Sequence, residues 1–188
     1  MARLFSVKPS FTMKGRQFKG LRGWAGKPLH PPLTDVPVTA YILAAVFDLV
    51  SGISGEGSRV ATDFFRAGTY VIIAGAAVSL ATAATGFADW LTSTSKHTQA
   101  WRTANAHMAT MLVVTVLVIL DIALRLSAWD AGYPGAVVVG LSVLVAVLVL
   151  IGATLGGSLV YDYGFNVETS GDHPVWHRNE EDVFPGPK

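Results

Sequence analysis

Long uncharged stretches alternate with short polar ones along this chain, and each long stretch has the length of a membrane span. The clearest is the run of 22 residues from 67 to 88, which contains no charged side chain and is bounded by Arg66 and Asp89. A helix of about 20 residues crosses the ~30 Å hydrocarbon core of a bilayer. A second uncharged run extends over residues 131–161. The pattern therefore predicts helices surrounded by lipid.

Four spans are predicted. The first begins at Thr34 or Asp35, where a short polar side chain can cap free N–H groups and Pro37 is tolerated in the first turn, and it ends near Ile53. The second covers residues 67–88, the third 104–126, and the fourth lies within 131–161, after a turn rich in Gly and Pro. The fold class is an all-α integral membrane bundle of four transmembrane helices. Its parts are a basic arm at 1–27, the transmembrane domain at 28–163 and an acidic tail at 164–188.

The distribution of basic residues predicts the orientation. An even number of spans places both termini and the loop at 89–103 on one face, and the loops near 54–63 and 128–135 on the other. Of the 14 Lys and Arg residues, only Arg59, Arg66 and Arg125 fall on the second face. Basic residues beside membrane spans favour the cytoplasmic side. We therefore expect a multi-pass membrane protein with both termini in the cytoplasm.

Composition and motifs argue against catalysis. With 51% hydrophobic and 14% charged residues, the chain lies outside the usual range of soluble proteins. The absence of cysteine excludes disulfides, thiolate zinc sites, iron–sulphur clusters and cysteine nucleophiles. No nucleophile elbow, phosphate loop or basic recognition helix is present, so we predict neither an enzyme nor a nucleic-acid-binding protein. His173 and His177 lack a third ligand nearby, which indicates a solvated tail rather than a metal site.

Ionisable residues inside the third predicted helix share one face. His107, Asp121 and Arg125 follow helical steps of four and three, and the i,i+4 spacing of the last two favours an ion pair. Asp48 of the first helix and Arg66 of the second lie at a similar membrane level. Because charges at membrane depth are costly, we expect these four charged residues to form an ion-pair cluster. A proton path through Asp48 and Asp121 is the alternative.

A second polar group is expected at the cytoplasmic ends of the helices. Its members are His30, Asp89, Arg102, Asn105 and His107. Two histidines from different elements could ligate the iron of a b-type haem, with Arg102 placed to meet a propionate. Against this interpretation, the prolines that follow His30 predict a loop there. The other interpretation is a polar lid whose groups satisfy one another by hydrogen bonds.

Small residues line two helix faces. Gly75, Ser79, Thr82, Gly86 and Asp89 recur along one face of the second helix, and Gly152 and Gly156 form a GxxxG motif on the fourth. Such faces let membrane helices approach closely. They can pack inside the bundle, which we favour, or against a neighbouring subunit.

Four segments carry a resemblance to a known family. They are Gly-Lys-Pro-Leu-His-Pro-Pro-Leu-Thr-Asp-Val-Pro at 26–37, Ala-Thr-Gly-Phe-Ala-Asp-Trp at 84–90, Arg-Thr-Ala-Asn-Ala-His at 102–107 and Leu-Gly-Gly-Ser-Leu-Val-Tyr at 155–161. In this order they resemble the bacterial family catalogued as domain of unknown function 2231, over roughly residues 26–168. The resemblance implies a four-helix inner-membrane protein without an assigned activity, in a family whose members sometimes accompany Rieske-type domains. A Rieske domain needs cysteines, so this chain contains none.

Three functional hypotheses follow. The leading one is a non-catalytic accessory or scaffold subunit of a larger membrane complex of respiratory or redox type, which contacts lipid and binds other subunits through its tails and small-residue faces. The second is a b-type haem or quinone-linked electron-transfer protein that uses His30 and His107. The third is a small proton or solute conductor that uses Asp48 and Asp121.

Overall fold

The computed structural model describes residues 28–165, which form four helices: α1 (His30–Ser54), α2 (Arg59–Ser93), α3 (Gln99–Ser127) and α4 (Ala136–Tyr161). Each helix is long and apolar enough to cross a membrane. The predicted all-α architecture with four spans is therefore confirmed. The basic arm at 1–27 and residues 166–188 of the acidic tail, with His173 and His177, lie outside the described residues, so what was expected of them stays a prediction.

The start of α1 differs from the prediction. The helix begins at His30 rather than at Thr34 or Asp35, and two prolines, Pro31 and Pro32, occupy its first turn. The first N–H groups of a helix have no partner within it, so proline costs little there. The expectation that His30 lies in a loop is therefore wrong. The same prolines that indicated a loop are compatible with a helix start.

The second and third helices also extend beyond the predicted spans, and their connection is shorter than expected. It covers residues 94–98, and α3 starts where Thr98 Oγ1 accepts a hydrogen bond of 3.1 Å from the backbone N–H of Trp101. The connection between α1 and α2 is likewise reduced to residues 55–58. The predicted spans end at the first charged residue, because a charge disfavours the hydrocarbon core. Backbone hydrogen bonds do not depend on side-chain charge, so a helix can continue past that residue.

The helices form a ring in which each one packs against its two neighbours in the order α1, α2, α3, α4. The packing between α2 and α3 is the least extensive of the four contacts, and α1 and α3 stand diagonally opposite each other. The start of α1 and the end of α4 lie at the same end of the bundle, because His30 and Gly156 both contact His107 at the start of α3.

The small-residue faces are used inside the bundle. A Cβ atom on Gly75 would lie 2.6 Å from Cβ of Ala40 on α1, and one on Gly152 would lie 2.6 Å from Sδ of Met111 on α3. Gly75 therefore lets α1 and α2 approach closely, and Gly152 leaves space for the Met111 side chain of α3. A neighbouring subunit would have to use other surfaces.

The apolar core lies between two polar layers. Its buried members are Ala40, Tyr41, Ala44, Ile72, Val114, Val118, Val145 and Val149. Along α1 this core separates His30 from Asp48, and along α3 it separates His107 from Asp121. At 1.5 Å per residue the two layers are roughly 20–27 Å apart, close to the thickness of the hydrocarbon. The two polar layers are therefore separated by about the thickness of the hydrocarbon core.

The close approach at Gly75 generates a prediction about stability. Gly75→Val places a branched side chain against Ala40 and Tyr41, and we expect it to lower the free energy of unfolding by about 1–3 kcal/mol through overpacking. Thermal unfolding of the purified protein in detergent, followed by circular dichroism, measures the effect.

Gly140→Val is the matched control, because a Cβ atom at the exposed Gly140 of α4 would meet nothing within 4 Å. Equal effects of the two substitutions would contradict the role assigned to Gly75.

Candidate functional site

One polar layer is a cluster of three charged side chains. Arg125 of α3 donates from Nη1 to Oδ1 of Asp48 at 3.0 Å and from Nη2 to Oδ2 of the same carboxylate. Its Nε also donates to Oδ1 of Asp121 at 3.1 Å. All three side chains have an exposed fraction of 0%. One guanidinium thus joins α1 to α3 across the diagonal of the bundle.

Local features position the three groups. Asp121 and Arg125 lie one turn apart on α3, so their side chains meet along the helix surface. Gly68 of α2 lies against this contact, because a Cβ atom there would be in ordinary van der Waals contact, at 3.4 Å, with both Arg125 Nη1 and Asp48 Oδ1. The sequence analysis missed Gly68. The only feature of the sequence that could have indicated its role is that Gly68 lies at the same membrane level as the charged residues.

Arg66 lies away from this cluster, although the sequence analysis grouped it there. Its side chain is exposed, and its Cζ lies 5.3 Å from the ring centroid of Trp129. Tyr70 packs edge-on against the same indole, with ring centroids 5.5 Å apart. The structure thus brings Asp48, Asp121 and Arg125 together and leaves Arg66 in a separate aromatic group at the same end of the bundle.

The second polar layer contains two imidazole rings. His30 of α1 and His107 of α3 meet edge to face with their ring centroids 6.3 Å apart. Nδ1 of His30 is 2.9 Å from the backbone oxygen of Thr82, and Nδ1 of His107 is 2.8 Å from that of Gly152. Two diagonal helices are therefore joined here as well, with each ring anchored to a different neighbouring helix.

These hydrogen bonds define the tautomer of each ring. A carbonyl oxygen can only accept, so Nδ1 carries the proton and donates it in both histidines. In the neutral ring, Nε2 then has the lone pair and is the atom that can accept a proton or bind a metal. Histidines that ligate metals commonly have this arrangement, with the other ring nitrogen bonded to a backbone carbonyl or a carboxylate.

Glycines provide the space for both rings. A Cβ atom on Gly86 of α2 would lie 2.6 Å from Cε1 of His30, and one on Gly156 of α4 would lie 3.3 Å from Cε1 of His107. The sequence analysis interpreted these glycines only as surfaces for helix packing. It did not predict that each would face an imidazole.

Two of the remaining residues of the predicted polar group, Asn105 and Arg102, bond to partners other than the histidines. Asn105 accepts a hydrogen bond of 2.8 Å from Trp90 Nε1, which joins α3 to α2. Asp89 is buried, with an exposed fraction of 5%. Arg102 is exposed and donates from Nη2 to Gln99 Oε1 at 2.6 Å. Arg102 is therefore engaged with its own helix, whereas the sequence analysis expected it to face the histidines.

The buried ion cluster generates a second prediction. Arg125→Ala leaves two carboxylates without their cation in a buried site, and we expect a loss of about 3–5 kcal/mol in the free energy of unfolding. Arg59→Ala is the control, since its pair with Asp63 is largely exposed, with side-chain exposures of 94% and 68%, and should contribute only about 0–1 kcal/mol. Chemical unfolding in detergent measures both values.

Replacing all three groups together, as Asp48→Asn, Asp121→Asn and Arg125→Met, should recover much of that stability, because no uncompensated charge is then buried. Two results would contradict a structural role for the cluster. One is an effect of Arg125→Ala as small as that of Arg59→Ala. The other is a proton flux in liposomes that Asp121→Asn abolishes.

The chain was compared with known families, curated proteins and solved structures. The model of a family described as a predicted membrane protein (DUF2231) matches residues 26–169. No curated protein and no solved structure matches the chain. The matched range contains all four helices and both polar layers. The chain therefore belongs to the DUF2231 family of multi-pass membrane proteins.

Proposed function

We propose that the protein is a non-catalytic accessory or scaffold subunit of a larger complex in the bacterial cytoplasmic membrane, and that this complex is of respiratory or redox type. The observation that carries the proposal is how the buried polar groups are used. Arg125 binds two carboxylates, and each half-buried histidine is held by a backbone carbonyl of a neighbouring helix. These groups fasten the helices to one another, which is what a rigid structural subunit requires.

The proposed orientation places both termini in the cytoplasm. It is supported by the charge of the first 27 residues, which contain seven Lys or Arg and no acidic residue. The histidine layer lies at the end of the bundle where α1 starts, so it would face the cytoplasmic boundary. The ion cluster would lie near the opposite boundary.

The proposed contacts with other subunits involve the two tails. The face of α2 with Gly75 and Gly86 and the face of α4 with Gly152 and Gly156 are filled by α1 and α3, so they do not serve a partner in this arrangement. The arm is basic, whereas the segment after Phe165 contains five acidic residues. Tails of opposite charge suit docking onto complementary surfaces of partner subunits.

Copurification tests this proposal. We expect gentle crosslinking in native membranes, followed by purification in detergent, to recover a defined set of membrane proteins with the full chain. Replacing Lys8, Lys14, Arg16 and Lys19 with Gln should reduce that recovery, because the basic arm would lose its attraction for an acidic surface.

Arg59→Gln with Lys96→Gln is the control, since these basic residues lie outside the arm and should leave recovery unchanged. A chain that purifies alone after crosslinking would contradict the subunit proposal.

The histidine pair favours a second candidate function, a b-type haem or quinone-linked electron-transfer protein. Its support is specific: two imidazoles from diagonal helices lie 6.3 Å apart, and both have Nδ1 bonded to a carbonyl, which leaves Nε2 as the ligating atom. Helical bundles hold haem between histidines of facing helices in this way. Asn105 and Asp89 would lie nearby as groups that tune such a site.

A spectrum tests the haem candidate. If His30 and His107 ligate iron, protein expressed with sufficient haem should show reduced-minus-oxidised haem bands, and His107→Ala should abolish or shift them. His97→Ala is the matched control, because His97 lies in the connection between α2 and α3 and contacts Trp101. Absence of the bands in the unmutated protein would remove the haem candidate and leave the subunit proposal intact.

A further inference from the structure

The contact between α2 and α3 leaves an open groove at the end of the bundle that holds the ion cluster. The groove has a volume of about 400 Å³ and is lined by Thr69, Tyr70, Ile73, Leu126, Trp129 and Asp130. It lies where the ring of helices is packed least extensively. Tyr70 and Leu126 are exposed by 63% and 55%, so the groove opens towards the surface that faces lipid.

The lining changes from polar to apolar along the groove. Asp130 follows the end of α3 and is exposed, whereas Ile73 lies further along α2 in the uncharged run. Trp129 and Tyr70, which pack against each other, lie between these two parts. Tryptophan and tyrosine are enriched at the level of the lipid head groups. The groove thus has a polar mouth at the membrane boundary and an apolar floor inside the hydrocarbon.

Asp130 lines this mouth, and Arg66 lies beside it, against the lining residue Trp129. The guanidinium of Arg66 lies over the face of Trp129, which leaves its N–H edges able to donate to an anion. Asp130 adjoins the same tryptophan in the chain. Within residues 28–165, neither Arg66 nor Asp130 takes part in an ion pair with the other or with a third residue. The mouth therefore offers a separate cation and a separate anion.

We propose that this groove binds one phospholipid whose head group has a phosphate and a primary ammonium. Arg66 binds the phosphate by paired hydrogen bonds, Asp130 accepts hydrogen bonds from the ammonium, and an acyl chain lies along Ile73 and Leu126. Charge complementarity selects this lipid class, because a phosphatidylglycerol head group has no cation for Asp130 and a choline has no N–H to donate.

A second groove on the bundle serves as a comparison for the charged groups beside the first groove. It lies between α1 and α2, and its lining includes Val36, Leu43 and Val71, with Asp35 as its charged residue. Neither its lining nor that of the groove between α2 and α3 contains a basic residue, but beside the latter groove Arg66 lies against the lining residue Trp129. Apolar volume alone suits any acyl chain, whereas the groove between α2 and α3 also recognises a head group.

Native mass spectrometry of the full chain in detergent tests the proposal. Phosphatidylethanolamine should bind more tightly than phosphatidylcholine or phosphatidylglycerol of the same acyl chains. Asp130→Asn should weaken phosphatidylethanolamine binding about tenfold and leave phosphatidylglycerol binding unchanged, since only the ammonium contact is lost. Arg66→Gln should weaken the binding of all three lipids, because each has a phosphate.

Arg59→Gln is the matched control, as an exposed arginine at the same end of α2 that is paired with Asp63. All three substitutions are at exposed positions, so unchanged thermal unfolding would exclude misfolding as the cause. Equal binding of the three lipids, or an effect of Arg59→Gln as large as that of Arg66→Gln, would overturn the proposal. So would equally tight binding of free phosphoethanolamine, which has the head-group charges without an acyl chain.

Discussion

The bidentate contact between Arg125 and Asp48, extended by Asp121, is the interaction on which the arrangement of the bundle depends. In lipid, apolar side chains gain little by contacting one another rather than acyl chains, so hydrophobic burial does not select one helix arrangement over another. A buried charge does favour one helix arrangement, because it is stable only when an opposite charge lies next to it. The cluster therefore couples the rotation of α1 to that of α3, two helices on opposite sides of the bundle.

The histidine layer repeats this arrangement at the other end with neutral groups. His30 and His107 also connect α1 with α3, and each is held by a carbonyl of α2 or α4. Contacts at both ends of the apolar core therefore define the relative positions of the helices that form it. A bundle fastened in this way suits a structural subunit. The same contacts hold the two imidazoles on which the second candidate function rests.

Glycine has a different role at each level of the bundle. Gly75 brings α1 against α2 in the apolar core, Gly68 lies in contact with the ion cluster, and Gly86 leaves room for an imidazole. All three lie on α2, and the spacing of two of them was visible in the sequence as a small-residue face. That spacing indicates close approach to something. It does not indicate whether the neighbour is a methyl group, a guanidinium or a ring, because this depends on which helix is adjacent and at what height.

Hydrophobic length by itself determined the class of this protein: the uncharged runs required four membrane helices, because a lipid-exposed backbone must satisfy its own hydrogen bonds. The pairing of Asp121 with Arg125 could also be predicted from the sequence, since it depends only on helical periodicity. The sequence grouped both Asp48 and Arg66 with this pair, and only the tertiary structure decided that Asp48 binds the guanidinium whereas Arg66 contacts Trp129. Periodicity defines which residues share a face of one helix, whereas contacts between helices depend on rotation and height, which only the packed bundle defines.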